Sequence, residues 1–283
     1  NRKKAGANEA SLKYFLLGAF ATGFIVYGIA LIYGSAQTTS IDFITSHFTE
    51  LTKSLLFIAG ILFFLIGFSF KIAAFPFHMW VPDVYQGAPT TVTGLFSTIG
   101  KAAAFAAIIA TLTSLFSGKT TSMFLPYLAV LSIFSMLFGS IVAIAQSNIK
   151  RMLAYSSISH AGYILIGLAS GTSVGVAGVV FYLAVYTFMN LAAFGIVALI
   201  EGVNDSNLEI NAYSGLGTKS PVLAALLAII MFSLAGLPPL AGFFAKYYVF
   251  IAAIKSGLTW LAILGIISSV ISVYFYLRIV VLM

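Results

Sequence analysis

Three lysines stand where a lysine is costly to keep. Lys101 lies in Thr98-Ile99-Gly100-Lys101-Ala102-Ala103-Ala104-Phe105, Lys71 in Lys71-Ile72-Ala73-Ala74-Phe75-Pro76-Phe77-His78, and Lys246 in Leu237-Pro238-Pro239-Leu240-Ala241-Gly242-Phe243-Phe244-Ala245-Lys246. On insertion scales an intramembrane lysine costs roughly 2.5 to 3.5 kcal/mol, so three cost on the order of 10 kcal/mol. The chemistry such a group offers is proton exchange: burial favours the neutral amine and an approaching carboxylate favours the ammonium, so the proton moves when the partner moves. His160, in Ser156-Ser157-Ile158-Ser159-His160-Ala161-Gly162-Tyr163, titrates near neutrality and could relay protons between the lysines, or could be a satisfied structural histidine. Ser69, Thr93, Ser97, Thr98, Ser156, Ser157, Ser159, Tyr163, Tyr186, Thr187 and Ser233 supply hydroxyls that can hold water along the way. Lys13 stands one turn from Glu9, so a solvated i,i+4 pair competes with any transport role. His78 lies next to the Trp80-Val81-Pro82-Asp83 end and reads as structural or interfacial.

All seven acids, Glu9, Asp42, Glu50, Asp83, Glu201, Asp205 and Glu209, fall in connections or at helix ends. No mid-membrane carboxylate therefore balances Lys71, Lys101 or Lys246. Either these lysines rest neutral, or the carboxylate comes from polypeptide outside this sequence or from a neighbouring subunit.

The elements that must position these groups are membrane helices. The chain is 61% hydrophobic and 7% charged, far from the balance of a soluble domain. A crossing needs roughly 20 apolar residues, and eight segments qualify: 12–34, 55–80, 88–116, 123–146, 152–170, 174–200, 221–254 and 258–283. The expected fold is an all-α, polytopic transmembrane bundle forming one membrane domain over 1–283. The opening Asn1-Arg2-Lys3-Lys4 leads into a span too long for a signal-peptide core. Basic residues divide unevenly between the two sides. Arg2, Lys3, Lys4, Lys150, Arg151, Lys219 and Arg278 fall on one, against Lys53, Lys119 and Lys255 on the other, which puts the amino terminus on the cytoplasmic side. Lys150-Arg151 reads most simply as an orientation determinant, with anionic-lipid contact as the alternative.

The seventh segment is too long for one straight crossing, since about 34 residues make about 51 Å of helix. Pro238-Pro239 removes two backbone donors in its middle, so the helix should be interrupted there. Pro76 marks a milder interruption of the second segment. Lys71 precedes its proline whereas Lys246 follows its pair, an inverted arrangement. Discontinuous helices at corresponding places in two halves point to an inverted-repeat transporter with its ion site at the midplane; ordinary proline kinks are the alternative. Cysteine is absent and the three histidines lack paired carboxylates, so thiolate and histidine metal sites are not expected. The 14 basic residues form no long run, which argues against nucleic acid. No nucleotide fingerprint, flavin motif or iron-sulfur cysteines are present.

At Phe70-Lys71, Pro76-Phe77-His78-Met79-Trp80, Pro82-Asp83-Val84-Tyr85-Gln86-Gly87-Ala88-Pro89, Lys101, Lys150-Arg151-Met152-Leu153-Ala154-Tyr155-Ser156-Ser157-Ile158-Ser159-His160 and Leu237 to Lys246, the sequence resembles the antiporter-like membrane subunits of respiratory complex I. The Asp83 to Pro89 stretch looks like the bacterial subunit N branch rather than its sister subunits or the Mrp antiporters. The resemblance covers nearly the whole chain. It implies an inverted-repeat fold with two discontinuous helices, residues 1–116 ending a first repeat and 123–283 forming a second. Lys71 and Lys246 would lie on the broken helices, with Lys101 between them in a polar axis. Lys13, in Glu9-Ala10-Ser11-Leu12-Lys13-Tyr14, matches a family lysine at the start of a helix, with one fewer intervening residue.

Family members have further helices, one bearing a glutamate thought to pair with the lysine matched by Lys71, so the chain is expected to be part of a longer protein. The implied function is proton translocation in the membrane arm of NADH:quinone oxidoreductase, in a bacterial cytoplasmic membrane, alongside other membrane-arm subunits and lipid. No cofactor is expected in this chain; NADH, FMN, iron-sulfur clusters and quinone would belong to partner subunits. A cation/proton antiporter subunit of the Mrp type and a non-pumping scaffold are the alternatives.

Overall fold

A computed structural model describes residues 5–115, 124–202 and 207–283. Arg2, Lys3, Lys4, Lys119 and Asp205, used above in reading the charges, lie outside the described residues. The long helices are α1 (Ala5–Ala36), α4 (Leu55–Lys71), α7 (Lys101–Leu115), α8 (Leu125–Ile144), α9 (Ile149–Ala169), α10 (Ser173–Ile200), α12 (Pro221–Ala235), α13 (Ala241–Lys255) and α14 (Thr259–Leu282). Shorter pieces are α2 (Ile41–Ser46), α3 (Phe48–Leu51), α5 (Val81–Gly87), α6 (Thr90–Leu95) and α11 (Leu216–Lys219), and a π-helical turn, Phe96–Gly100, joins α6 to α7. Helices are what a bilayer allows, because they satisfy their backbone polar groups internally. Among the described residues six runs are long and apolar enough to cross: α1, α6 through α7, α8, α9, α10 and α14. The other two expected segments are the ones that break.

Helix α9 is the axle of the bundle, its side chains buried almost from end to end, with α5, α8, α10, α13 and α14 packed around it. Asn148 starts it by accepting from the Lys150 and Arg151 amides, which satisfies two of the orphan donors of the first turn. Glycines let α8 approach closely. A Cβ on Gly139 would lie 2.5 Å from Ser159 Oγ, and one on Gly162 would lie 2.6 Å from the Met136 nitrogen. Such small-residue contacts replace the hydrophobic driving force that helices lack inside lipid.

Both expected breaks form, but their sizes reverse the sequence expectation. The interruption at Pro76, expected to be the milder, spans 72–80, whereas the one at Pro238-Pro239 spans only 236–240. The reason lies in how each helix stops. At α12, Gly236 at φ +87° turns the chain, and the Gly236 and Leu237 amides both donate to the Phe232 carbonyl. At α4, Ala73 takes the left-handed turn at φ +63°, with Ala74 donating to Ser69 and Phe75 donating to Ser135 Oγ at 2.9 Å. Each is a left-handed C-terminal cap; after the second, the chain runs through further turns before α5 begins. The Phe75-Pro76 and Pro238-Pro239 bonds are both cis.

Candidate functional site

Lys101 is the first residue of α7, directly after the π turn, and is 3% exposed. Its Nζ donates to the Ser157 carbonyl and to Ser157 Oγ, both at 2.6 Å. Ser157 Oγ also accepts from the Tyr186 hydroxyl at 2.9 Å, and the Tyr186 oxygen accepts from Asn190 Nδ2 at 3.0 Å. The Tyr85 hydroxyl approaches Ser157 Oγ at 3.4 Å. Ser157 on the central helix is thus a hub that gathers groups from α5, α7 and α10.

Lys246 lies six residues into α13 and is 4% exposed. Its Nζ donates to the Ala235 carbonyl and to Ser269 Oγ, each at 2.8 Å, and stands 4.8 Å from the Tyr163 ring centroid. Ala235 closes α12, so the ammonium occupies the end of a half-helix where orphan carbonyls collect negative potential. Gly236 packs directly on the lysine: a Cβ there would lie 3.0 Å from Lys246 Cδ and 3.2 Å from its Nζ.

His160 stands between these two environments, 2% exposed. Its Nδ1 lies 2.8 Å from the Tyr182 hydroxyl and its Nε2 3.1 Å from the Tyr276 hydroxyl, which in turn is bonded to Ser156. Its ring is 5.0 Å from that of Tyr186, on the Lys101 side, and 5.8 Å from that of Tyr163, on the Lys246 side. Tyr163 continues into hydroxyls, donating to Ser268 Oγ at 3.0 Å, with Ser140 a further 3.0 Å away. The arrangement is a buried row of basic nitrogens spaced by hydroxyls. Among the described residues no carboxylate bonds to Lys101 or Lys246, and no cluster of three His, Cys, Asp or Glu residues could hold a metal ion.

The remaining expected residues lie elsewhere. Lys71 ends α4 on the exposed surface, with no hydrogen bond or ion pair among the described residues; the burial expected for it is not found in this chain. Lys13 pairs with Glu9 and with Asp83, each at 2.7 Å, in a charged group at one end of the bundle and outside the row of buried bases. There Arg151 Nη1 also holds Asp83, at 2.7 Å. Burial alone would raise the Asp83 carboxyl, but hydrogen bonds from Lys13 and Arg151 outweigh it and hold it below its ordinary 3.8. Lys150 and Arg151 are more than orientation markers: Lys150 is 1% exposed and donates to the Ala88 carbonyl at 2.6 Å. His78 is buried against Phe75 and Phe138, in keeping with its structural reading.

Sequence reasoning named Ser157, Tyr163 and Tyr186 only as generic hydroxyls and missed Tyr85, Tyr182, Asn190, Ser269 and Tyr276. Part of the signal was present. Ser156, Ser157, His160 and Tyr163 recur at spacings of three and four, which places them on neighbouring faces of one helix.

The transmembrane family described as NADH:quinone oxidoreductase/Mrp antiporter matches residues 1–272. The chain belongs to this family. It is 48% identical over 285 residues to NADH-quinone oxidoreductase subunit N of Trichlorobacter lovleyi, covering 100% of this chain and 58% of that protein. Subunit N of Salinibacter ruber is 49% identical over 282 residues, covering 99% of this chain and 56% of its own length. The chain therefore spans somewhat over half the length of these relatives. Among solved structures, respiratory complex I from Thermus thermophilus with bound aureothin matches at TM-score 0.83 and 36% identity, over 99% of this chain and 60% of that one. The Mrp complex from Dietzia sp. DQ12-45-1b matches at TM-score 0.88 and 28% identity, over 97% and 50%. The fold is thus the all-helical, antiporter-like membrane bundle of these complexes.

Proposed function

We propose that this chain is part of a subunit N of bacterial NADH:quinone oxidoreductase that moves protons, with Lys101, His160 and Lys246 as the buried carriers. The supporting observation is the row itself: two lysines under 5% exposed, each held only by neutral oxygens, flank a histidine whose two nitrogens both face tyrosine hydroxyls. Neutral hydroxyl and carbonyl partners leave each amine free to give up its proton, which a fixed carboxylate would oppose. A neutral imidazole donates from one nitrogen and accepts at the other, so it can pass a proton without net change. Water between the hydroxyls would complete the path.

Lys71 would act at the equivalent break of the first repeat, taken as residues 1–116, with 123–283 as the second. Its carboxylate partner would come from further polypeptide or a neighbouring subunit. Lys13 takes at most a supporting part, in the charged group at the bundle end. Excess positive charge places that end on the cytoplasmic side of the membrane. Redox chemistry, with NADH, FMN, iron-sulfur clusters and quinone, would take place in partner subunits and reach this one as changes of charge along the axis. The test is Lys101→Met in the complete subunit within its assembled complex. Fewer protons moved per NADH oxidised is the expected result; an unchanged ratio would make the chain a scaffold.

A further inference from the structure

The proposed carriers need a way in from water, and one end of α6 offers it. Thr90, Thr93, Ser97 and Lys101 follow one another at intervals of three, four and four residues, and all are buried: 3%, 0%, 0% and 3% exposed. At 1.5 Å rise per residue each interval is about 4.5 to 6 Å, the span of one intervening water molecule. The outer end of this ladder meets an acid, because the Thr90 hydroxyl donates to the half-buried Glu201 carboxylate at the end of α10. The turn that starts the ladder is held from the other side, where buried Lys150 donates to the Ala88 carbonyl.

A separate observation marks the same place as wet. The Tyr213 hydroxyl is fully buried, has no hydrogen-bond partner among the described residues, and lies within electrostatic range of Glu201. A buried hydroxyl with no protein partner is where structural water binds.

We propose that Glu201 is the proton-collecting group of this chain and that Thr90, Thr93 and Ser97 conduct its proton to Lys101. In each passage the Glu201 carboxylate takes one proton from bulk water. Hydroxyl and water hops then deliver one proton to the neutral Lys101 amine, and the carboxylate is left ionised as before. Lys150 is a positioning residue that fixes the Ala88 to Thr90 turn. The proposal rests on the proton-translocating reading, and it adds a direction of supply, from the end of the bundle that also holds Arg151 and Asp83.

The experiment measures protons taken up per NADH oxidised in proteoliposomes holding the whole complex, at matched complex content. Wild type is compared with Glu201→Gln, Thr93→Val, Thr93→Ser and Lys101→Met. Glutamine keeps an acceptor for Thr90 but cannot shuttle a proton, and valine keeps the shape of threonine without its hydroxyl. A ratio lowered at least twofold by Glu201→Gln and by Thr93→Val, and restored by Thr93→Ser, is the expected result. If Lys101→Met lowers the ratio while Glu201→Gln and Thr93→Val leave it intact, the ladder is wrong and the wider reading stands. An unchanged ratio in Lys101→Met overturns both. Where Glu201→Gln does not assemble, the Thr93 pair decides alone.

Discussion

Lys71 and Lys246 occupy the two helix breaks, but their surroundings differ. Lys246 is 4% exposed, bonded to the closing carbonyl of α12 and to Ser269, and capped by a glycine that gives it room. Lys71 ends its half-helix at the exposed surface with no bonded partner among the described residues. A broken helix thus supplies the place for a lysine, but enclosure comes from what packs around it. For Lys246 this chain provides that packing in α9, α12 and α14; for Lys71 the chain, which covers just over half of its relatives, does not.

The largest effect that would break this comparison is expected at Gly236. Gly236→Ala sets a Cβ 3.0 Å from Lys246 and forces a left-handed conformation that costs an L-residue about 1 to 2 kcal/mol. Most coupled proton uptake should be lost, measured as protons per NADH oxidised in the assembled complex. His160→Phe comes next: it strips the Tyr182 and Tyr276 hydroxyls of their nitrogen partner and cuts the row in the middle, so the ratio should fall severalfold. A full ratio in that variant would mean that the two lysines work separately.

Smaller and opposite in sign is Ala73→Gly at the other break, where alanine already pays the left-handed cost. Thermal unfolding should show a gain of about 1 kcal/mol with proton uptake unchanged. The smallest effect concerns Asp83. Its lowered carboxyl contributes stability that is present above pH 3.8 and is lost as pH falls through the lower folded value. The midpoint difference between wild type and Asp83→Asn should therefore be full at pH 7 and shrink only below pH 3.8.

The fold was legible because its causes are local. Apolar runs of crossing length, Pro238-Pro239 in an overlong one, and Asn148 ahead of α9 each announce themselves in sequence. Of the site, the lysines were legible by the cost of placing them in lipid. Their partners were not: Ser157 meets Lys101 across 56 residues and Tyr276 meets His160 across 116, distances at which no spacing rule operates. Lys150 misled because a lysine at a helix start looks like a charge facing water, and only the packing of α5 against α9 shows it reaching the Ala88 carbonyl. The wider break at Pro76 was hidden because Ala73, unlike Gly236, carries no sign in its residue type of the left-handed turn it makes.

The most direct test is NADH-driven proton uptake into proteoliposomes holding the assembled complex, with wild type, Lys71→Met and Lys246→Met compared at matched content and matched NADH oxidation. Both variants are predicted to move fewer protons per electron, Lys246→Met through the enclosed site described here and Lys71→Met through its counterpart at the other break. Unchanged ratios in both would contradict the account and leave the chain a scaffold.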